Sequence, residues 1–422
     1  MKVLEDNGIP LSNCRGQGYD NAANMSGEYN GVQAKVKEAN PLAIYSPCGC
    51  HSLNLCGNDA ADCCKETITF FGMVQWTFKF FHDSPKRWEI LKAIIHQSLH
   101  QLSPTRWSAQ IKAVVPFKSN VPSLASCLEQ CLPLKMTPKV KSEVQGAIKY
   151  VKLFECILMA CLWEKILRPI DACNMVIQGK DATLDAEVAN LETCIRHLND
   201  IDSKWSEIVD EAVEMAEKAQ VDPKLPQKRS DHHLSDSQRL AVFKELVCDK
   251  IIAEVKKGIT KRFEAARSIT SLFSFLWTYQ QLDDSKLNEK CDRFASFYSD
   301  VDKDELLEEV KTLKLIHTAN FGQQTLTPLT LLNQIMQNKL GHLFPYFIIS
   351  LRIFLTLPVT VASAERSFSK LKLIKNQLRS LMGQQRLVDL AVMSIESDLT
   401  RKVNFDDIID SFAKAKARKM PL

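Results

Sequence analysis

Six of the chain's soft metal ligands crowd into one short stretch: Cys48, Cys50, His51, Cys56, Cys63 and Cys64. Thiolates and imidazole are zinc donors, and zinc takes four of them tetrahedrally. Structural zinc sites usually space their ligands as paired C-x-x-C or C-x-x-C…H-x-x-x-H knuckles. Here the spacing is C-x-C followed by an adjacent Cys63-Cys64, which favours buried free thiols. His232-His233 lies in a polar stretch and reads as a solvated pair. Gly16 and Gly18 form G-x-G without the third glycine and following helix that hold a dinucleotide, and there is no G-x-x-x-x-G-K-[ST]. A nucleotide-binding domain therefore has no support.

The elements that position these residues follow from composition and period. At 422 residues the chain has room for two or three domains, each with a real core. Its 54 Lys and Arg against 50 Asp and Glu exclude a polycationic or an acidic-tail protein, while a local basic face stays open. A hydrophobic content of 45% excludes wholesale disorder. Fourteen cysteines are too few for a disulfide scaffold, and the first ten residues carry acids where a secretory signal needs an apolar run. Reduced thiols inside a cell are expected.

The first sixty residues read as α/β. Short strands are expected at 11–14 and 42–46, with a Gly/Asn turn cluster at 15–27 between them, a helix at Val32–Ala39 and another starting near His51. Helical period dominates from Ser108 onward. Residues 149–177 are apolar on nearly all sides and predict a buried helix interrupted near Pro169. Leu184, Val188, Leu191, Ile195, Leu198, Ile201, Trp205, Ile208, Ala212, Met215 and Ala219 step by three or four, predicting one long structural helix with a single apolar stripe. Residues 222–238 form a polar linker, whose KLPQKR is a weak nuclear-import patch. Helices resume at 240–255, 272–282 and 306–315. The apolar run 340–364 is divided by Pro345, Arg352 and Pro358, so it suits core elements better than a membrane span.

Particular stretches resemble a known family. CRGQGYDNAANMSG (14–27), SPCGCHSLNL (46–55), SPKRWEIL (84–91), LSPTRWSA (102–109) and LTLPVTVASAERSFSKLKLIKNQLRSLMGQQRLVDLAVMSIE (355–396) are similar to the hAT superfamily of DNA transposases. More narrowly, they resemble its vertebrate transposon-derived branch that includes the MYM-type zinc finger proteins. The resemblance implies an α+β, predominantly α-helical protein: a ribonuclease H-like α/β core interrupted by a large all-α insertion. It implies a partial core over 1–110, an all-helical insertion over 111–340, and a C-terminal dimerisation region over 341–422 that completes the core. In the family three carboxylates hold two divalent metals, Mg²⁺ or Mn²⁺, which stabilise the attacking and leaving oxygens of phosphodiester displacement. By motif match Asp20 is the second aspartate and Glu365 the glutamate. Cys48 and His51 match a C-x-x-H element that supports the active site, and Arg106 and Trp107 match a pair whose indole stacks on an unpaired base. Without the resemblance, Asp20 reads as a turn residue, Glu365 as a helix-dipole acid and Trp107 as a core aromatic. Arg87-Trp88 reads as packing.

One departure sets the functional expectation. Only nineteen residues precede Asp20, too few for the strand that carries the family's first aspartate and the strands that follow it. A truncated, domesticated and catalytically inactive remnant is expected, requiring no cofactor, whose Asp20 and Glu365 bind metal weakly if at all. The alternatives are a working nuclease whose missing aspartate comes from a longer product or partner, and a purely helical scaffold. The surviving function is self-association, as a homodimer or higher homo-oligomer, through helices at 363–381 and 385–399 and a short third helix. Phe368, Leu371, Ile374, Leu378, Leu387, Leu390 and Ile395 are the dimerisation candidates. From Arg366 to the end, twelve Lys and Arg face six acids, a surface that suits contact with phosphates. The resemblance implies a nuclear protein with DNA as a possible partner, and no membrane partner is expected.

Overall fold

The structure is a computed structural model that describes residues 2–95, 97–103, 108–179, 182–227 and 233–415. Arg106, Trp107 and His232, and the tail from residue 416, lie outside the described residues.

The chain is predominantly helical around a small parallel sheet. Gly16–Tyr19 (β1) pairs with Ile44–Pro47 (β2) in the register Gly16↔Ile44 through Tyr19↔Pro47. The strand expected at 11–14 is instead a 3-10 turn, Leu11–Asn13, and β1 occupies part of the predicted turn cluster. The reason lies in local hydrogen bonding. Asn40 Nδ2 donates to the carbonyls of Leu11 (2.8 Å) and Cys14 (2.7 Å), satisfying acceptors that a strand would use in its ladder.

Glycine is a poor strand residue unless another backbone comes close. That is the case here. A Cβ on Gly16 would stand 2.8 Å from Leu357 Cδ2, and one on Gly18 would stand 2.6 Å from Pro358 Cγ. The Leu-Pro of LTLPVT thus lies flat on one face of β1. Arg15 fixes the start of the strand, forking its guanidinium onto Asp300 at 2.9 and 2.7 Å.

Around the sheet the helices run in order: α1 Val32–Ala39, α2 Gly49–Ala61, α3 Lys65–His82, α4 Pro85–Ile94, α5 Ser108–Cys131, α6 Pro138–Val151 and α7 Phe154–Ile177. The buried helix expected over 149–177 begins later, because Lys152 and Leu153 leave the helix between α6 and α7. It also continues through Pro169. An interior proline costs about 3 kcal/mol, but α7 is packed by α2, α3, α5, α6, α8 and α9, and that burial outweighs the loss.

The long amphipathic helix is two, α8 Leu184–Ser203 and α9 Trp205–Lys218, separated at Lys204. The break keeps both stripes on α7, burying Leu191, Leu198 and Ile201 from α8 and Ile208, Ala212 and Ala216 from α9. Next come α10 Asp236–Phe243, a π-helical turn Lys244–Asp249, and α11 Lys250–Arg262. α10 starts earlier than expected because Ser235 and Gln238 close a reciprocal capping box. Then follow α12 Glu264–Phe273, a short helix Phe275–Thr278, α13 Asp284–Phe297, α14 Lys303–Phe321, α15 Pro328–Gln337 and α16 Pro345–Thr356. The buried carboxylate of Glu309 in α14 accepts the Tyr346 (3.1 Å) and Phe347 (2.7 Å) amides, capping α16. No helix among the described residues is long and apolar enough to cross a membrane.

Two compact units result, residues Met1–Thr360 and Val361–Leu422. The second holds α17 Ala362–Ile374, α18 Gln384–Ile395, a short helix Ser397–Thr400 and α19 Asp406–Lys414. α17 is shorter than the helix expected over 363–381. Asn376 accepts the Leu378 amide and opens a 3-10 turn, Gln377–Arg379. Lys370 Nζ ties α17 to the end of α18 through the carbonyls of Ser394 (2.7 Å) and Ile395 (3.3 Å).

The close packing of Pro358 on β1 generates a prediction. Gly18→Ala should lower the urea midpoint by an amount equivalent to about 1–3 kcal/mol, the usual cost of overpacking. A variant as stable as the parent would mean that residues 357–358 do not lie on β1.

Candidate functional site

Asp20 follows β1 directly, and Cys48 follows β2. Because the strands are parallel, both leave the same end of the sheet, where α2 begins with His51 in its first turn. Asp20 is half-buried, and its Oδ1 accepts the Ala22 amide at 3.2 Å, which is the turn role its sequence context predicts. Asn21 Nδ2 donates to Ser52 Oγ at 3.0 Å, fastening that turn to α2. Tyr19 and Tyr45 stack with centroids 6.2 Å apart, and burial raises both phenols.

The start of α2 is held from two directions. The Cys48 amide donates to the Tyr19 carbonyl and the Gly49 amide to the Val359 carbonyl, each at 2.9 Å. Thr360 Oγ1 donates to Cys50 Sγ at 3.3 Å and lies 3.6 Å from Cys48 Sγ. The Cys50 thiol is raised by its bond to Cys48 and by burial, so it stays protonated. These thiols act as small buried packing groups. All fourteen cysteines are free.

One acid here was not foreseen. Glu187 of α8 is 2% exposed and reaches the first residue of α2; a Cβ on Gly49 would stand 1.9 Å from its Oε1. That oxygen has no hydrogen-bond partner among the described residues. Burial, with the Cys48 thiol nearby, pushes the Glu187 carboxyl up to about 8. The sequence did hold a signal. Glu187 lies three residues after Leu184 and four before Leu191, so it occupies the buried stripe. The observed stripe is Leu184, Glu187, Leu191, Cys194, Leu198 and Ile201, with Val188 and Ile195 only half-buried.

Glu365 lies in the first turn of α17, in the second unit, and is exposed. Among the described residues no three His, Cys, Asp or Glu side chains form a group able to hold a metal. Of the seven dimerisation candidates, Leu387 is buried, and Leu371, Ile374, Leu390 and Ile395 are half-buried. Phe368 and Leu378 are exposed.

Comparison with known proteins finds two matching regions. Residues 304–399 match the hAT family C-terminal dimerisation region, and residues 1–31 match the ZMYM1/FAM200, RNase-like domain. At both ends, then, the chain is similar to hAT-derived proteins. The RNase-like match contains β1 and Asp20, and the dimerisation match begins in α14. The "52 kDa repressor of the inhibitor of the protein kinase" of Mus musculus is 22% identical over 450 residues, covering 100% of this chain and 58% of the relative. The Homo sapiens protein of the same description is 22% identical over 449 residues, covering 100% of this chain and 57% of its own length. The chain thus spans somewhat over half the length of these relatives.

Glu187 and Gly49 give two predictions. In the unfolded chain Glu187 titrates near its ordinary 4.5, but in the fold only near 8, so the folded state binds the extra proton between them. Its contribution is complete below about 4.5 and is lost as pH rises through 8, at up to about 1.4 kcal/mol per pH unit. Urea titrations at pH 5.5 and 8 should show a smaller loss for Glu187→Gln than for the parent; equal losses would refute the assignment. Gly49→Ala should destabilise strongly, and Glu187→Ala should recover much of that loss in the double variant. Independent, additive effects would show that the two residues do not meet.

Proposed function

We propose that this hAT-derived chain works by self-association through its second unit, contacts nucleic acid, and does not cut it. The observation that carries this reading is the outer surface of the second unit. Phe368 is 70% exposed, Leu378 96% and Leu381 99%, and Leu373, Val388, Val392, Met393, Leu399, Ile408, Ile409 and Phe412 are exposed with them. Leu387 is the one fully buried large apolar side chain among the unit's described residues. So much large apolar surface on a small helical unit is the mark of an interface, since each Leu or Phe removed from water stabilises an assembly by about 1.5–3 kcal/mol. The match to a dimerisation region supports a second copy of the chain as the partner.

The division of the half-buried and exposed residues refines the candidates. Leu371, Ile374, Leu387, Leu390 and Ile395 are the shielded positions, while Phe368, Leu378 and Leu381 are those a partner copy would cover. The reading without catalysis follows from the family comparison of the N-terminal stretch, where Asp20 Oδ1 accepts the Ala22 amide of its own turn. The relatives' description as repressors accords with a binding protein that acts in the nucleus.

Light scattering on the eluting full chain should give at least twice the 47.8 kDa chain mass at about 10 μM. Leu378→Asp with Leu381→Asp should give the single-chain mass with unchanged helical circular dichroism. A parent that elutes as a monomer, or a variant that stays assembled, would overturn this interface. With Mg²⁺ or Mn²⁺ no cleavage of duplex DNA is expected. Cleavage that disappears in Glu365→Gln would establish a working nuclease instead.

A further inference from the structure

Outside the C-terminal region, positive charge also gathers in the first unit. Residues 250–267 hold Lys250, Lys256, Lys257, Lys261, Arg262 and Arg267 against Glu254 and Glu264, a surplus of four in eighteen residues. Four of these cations, Lys256, Lys257, Lys261 and Arg267, line an open concavity of about 600 Å³ at the corner between α11 and α12, with Thr260 and Glu264.

Two features distinguish this cluster from an ordinary solvated helix face. Its compensation is incomplete: Lys257 pairs with Glu254 at 3.2 Å, whereas Lys256, Lys261 and Arg267 have no carboxylate within ion-pair distance among the described residues. Its backbone is also fixed. α11 buries Ile251, Ile252, Val255 and Ile259 on its inner face, and Gly258 comes so near α2 that a Cβ would stand 3.2 Å from Cys56 Cβ and Sγ. Arg262 turns inward to Asp59 at 2.7 Å and locks the same seam. Arg267 donates to the Thr260 carbonyl at 3.3 Å, holding its guanidinium at the corner. Rigidly held like charges repel one another, and a partner that brings negative charge relieves that repulsion.

An open concavity suits an extended polyanion better than a single ion, which would stay hydrated there. Lys257 and Lys261 are one helical turn apart, about 6 Å along the axis. Two steps of a duplex strand, at about 3.4 Å each, span a similar length. Packing also places the corner. Lys250 and Glu254 act on the Cys63 thiol just past the end of α2, while Gly258 meets Cys56. α11 therefore runs antiparallel to α2, and its C-terminal turn lies toward the half of α2 that begins at Cys48 and Gly49, the end of the sheet that carries Asp20.

We infer that the α11–α12 corner, through Lys256, Lys261 and Arg267, is a binding surface for the phosphate backbone of nucleic acid. This rests on the nucleic-acid contact proposed above and assigns it to a surface outside the second unit.

The test is fluorescence anisotropy of the full chain with a labelled mixed-sequence duplex of about 20 base pairs at 50, 100 and 200 mM KCl. Lys256→Glu, Lys261→Glu and Arg267→Glu together should weaken binding at least tenfold at 100 mM. The slope of log affinity against log salt should fall by about two to three, near 0.9 for each phosphate that is no longer neutralised. Lys139→Glu, Lys141→Glu and Lys149→Glu on the exposed face of α6 make the same change in net charge and should stay within twofold of the parent. Because Arg267 also caps α11, Lys256→Gln with Lys261→Gln, which leaves it in place, should still weaken binding several-fold. Equal effects in the two triple variants would reduce the result to net charge and overturn the assignment. Duplex binding unchanged in the corner variants would overturn it as well, while leaving nucleic-acid contact elsewhere intact. A parent chain that binds no duplex at 50 mM would overturn both this inference and the proposal on which it rests.

Discussion

The first unit depends on one close approach of backbone to backbone. Residues 357–360 lie across a strand that has given up its side chains at Gly16 and Gly18, and the Val359 carbonyl takes the first amide of α2. A two-stranded parallel sheet is too small to be stable alone, since parallel strands need cover on both faces. Leu357 and Pro358 supply cover on one face. Two sequence blocks more than three hundred residues apart are joined in this way, and everything between them is a closed excursion of the chain.

That excursion is helical because it must close on itself without further strands. α7 solves this by being apolar all round, so that six helices pack on it. Glu187 marks where the arrangement meets the sheet. A carboxyl held out of water at the start of a helix is costly, and Gly49 is the residue type that leaves it room. The helix dipole favours negative charge at that position, yet burial wins and the acid stays protonated until about pH 8. The seam between helical insertion and sheet therefore contains a group that titrates close to neutrality.

Much of this was legible in the residues. α1 fell at Val32–Ala39 because Asn40-Pro41 ends a helix unambiguously, and α2 opened where Pro47 closes a strand. The misplaced first strand had a different cause. Its glycines signal a turn unless one knows that Pro358 is waiting above them, and no local pattern carries that knowledge. The long amphipathic stripe hid both its break and its acid. Stepping by three or four can trace two neighbouring tracks on a helix, and the apolar Val188 drew attention from the track on which Glu187 is buried. The family resemblance, in turn, placed Asp20 and Glu365 by motif, but the turn that engages Asp20 is a fact of three dimensions.

The second unit makes the opposite use of apolar residues. In the first unit Leu, Ile and Phe sit inside, and the cations at the α11–α12 corner sit outside on a locked scaffold. In the second, Leu378 and Leu381 stand in water at a 3-10 turn that the Asn376 cap forces to end α17 early. Had α17 continued to residue 381 as its period suggests, Leu378 and Leu381 would have extended the stripe of Leu371 and Ile374. The cap interrupts that stripe and leaves both leucines exposed. A single local hydrogen bond thereby separates the half-buried residues that hold the unit together from leucines left in water, which is the surface the proposed self-association would use.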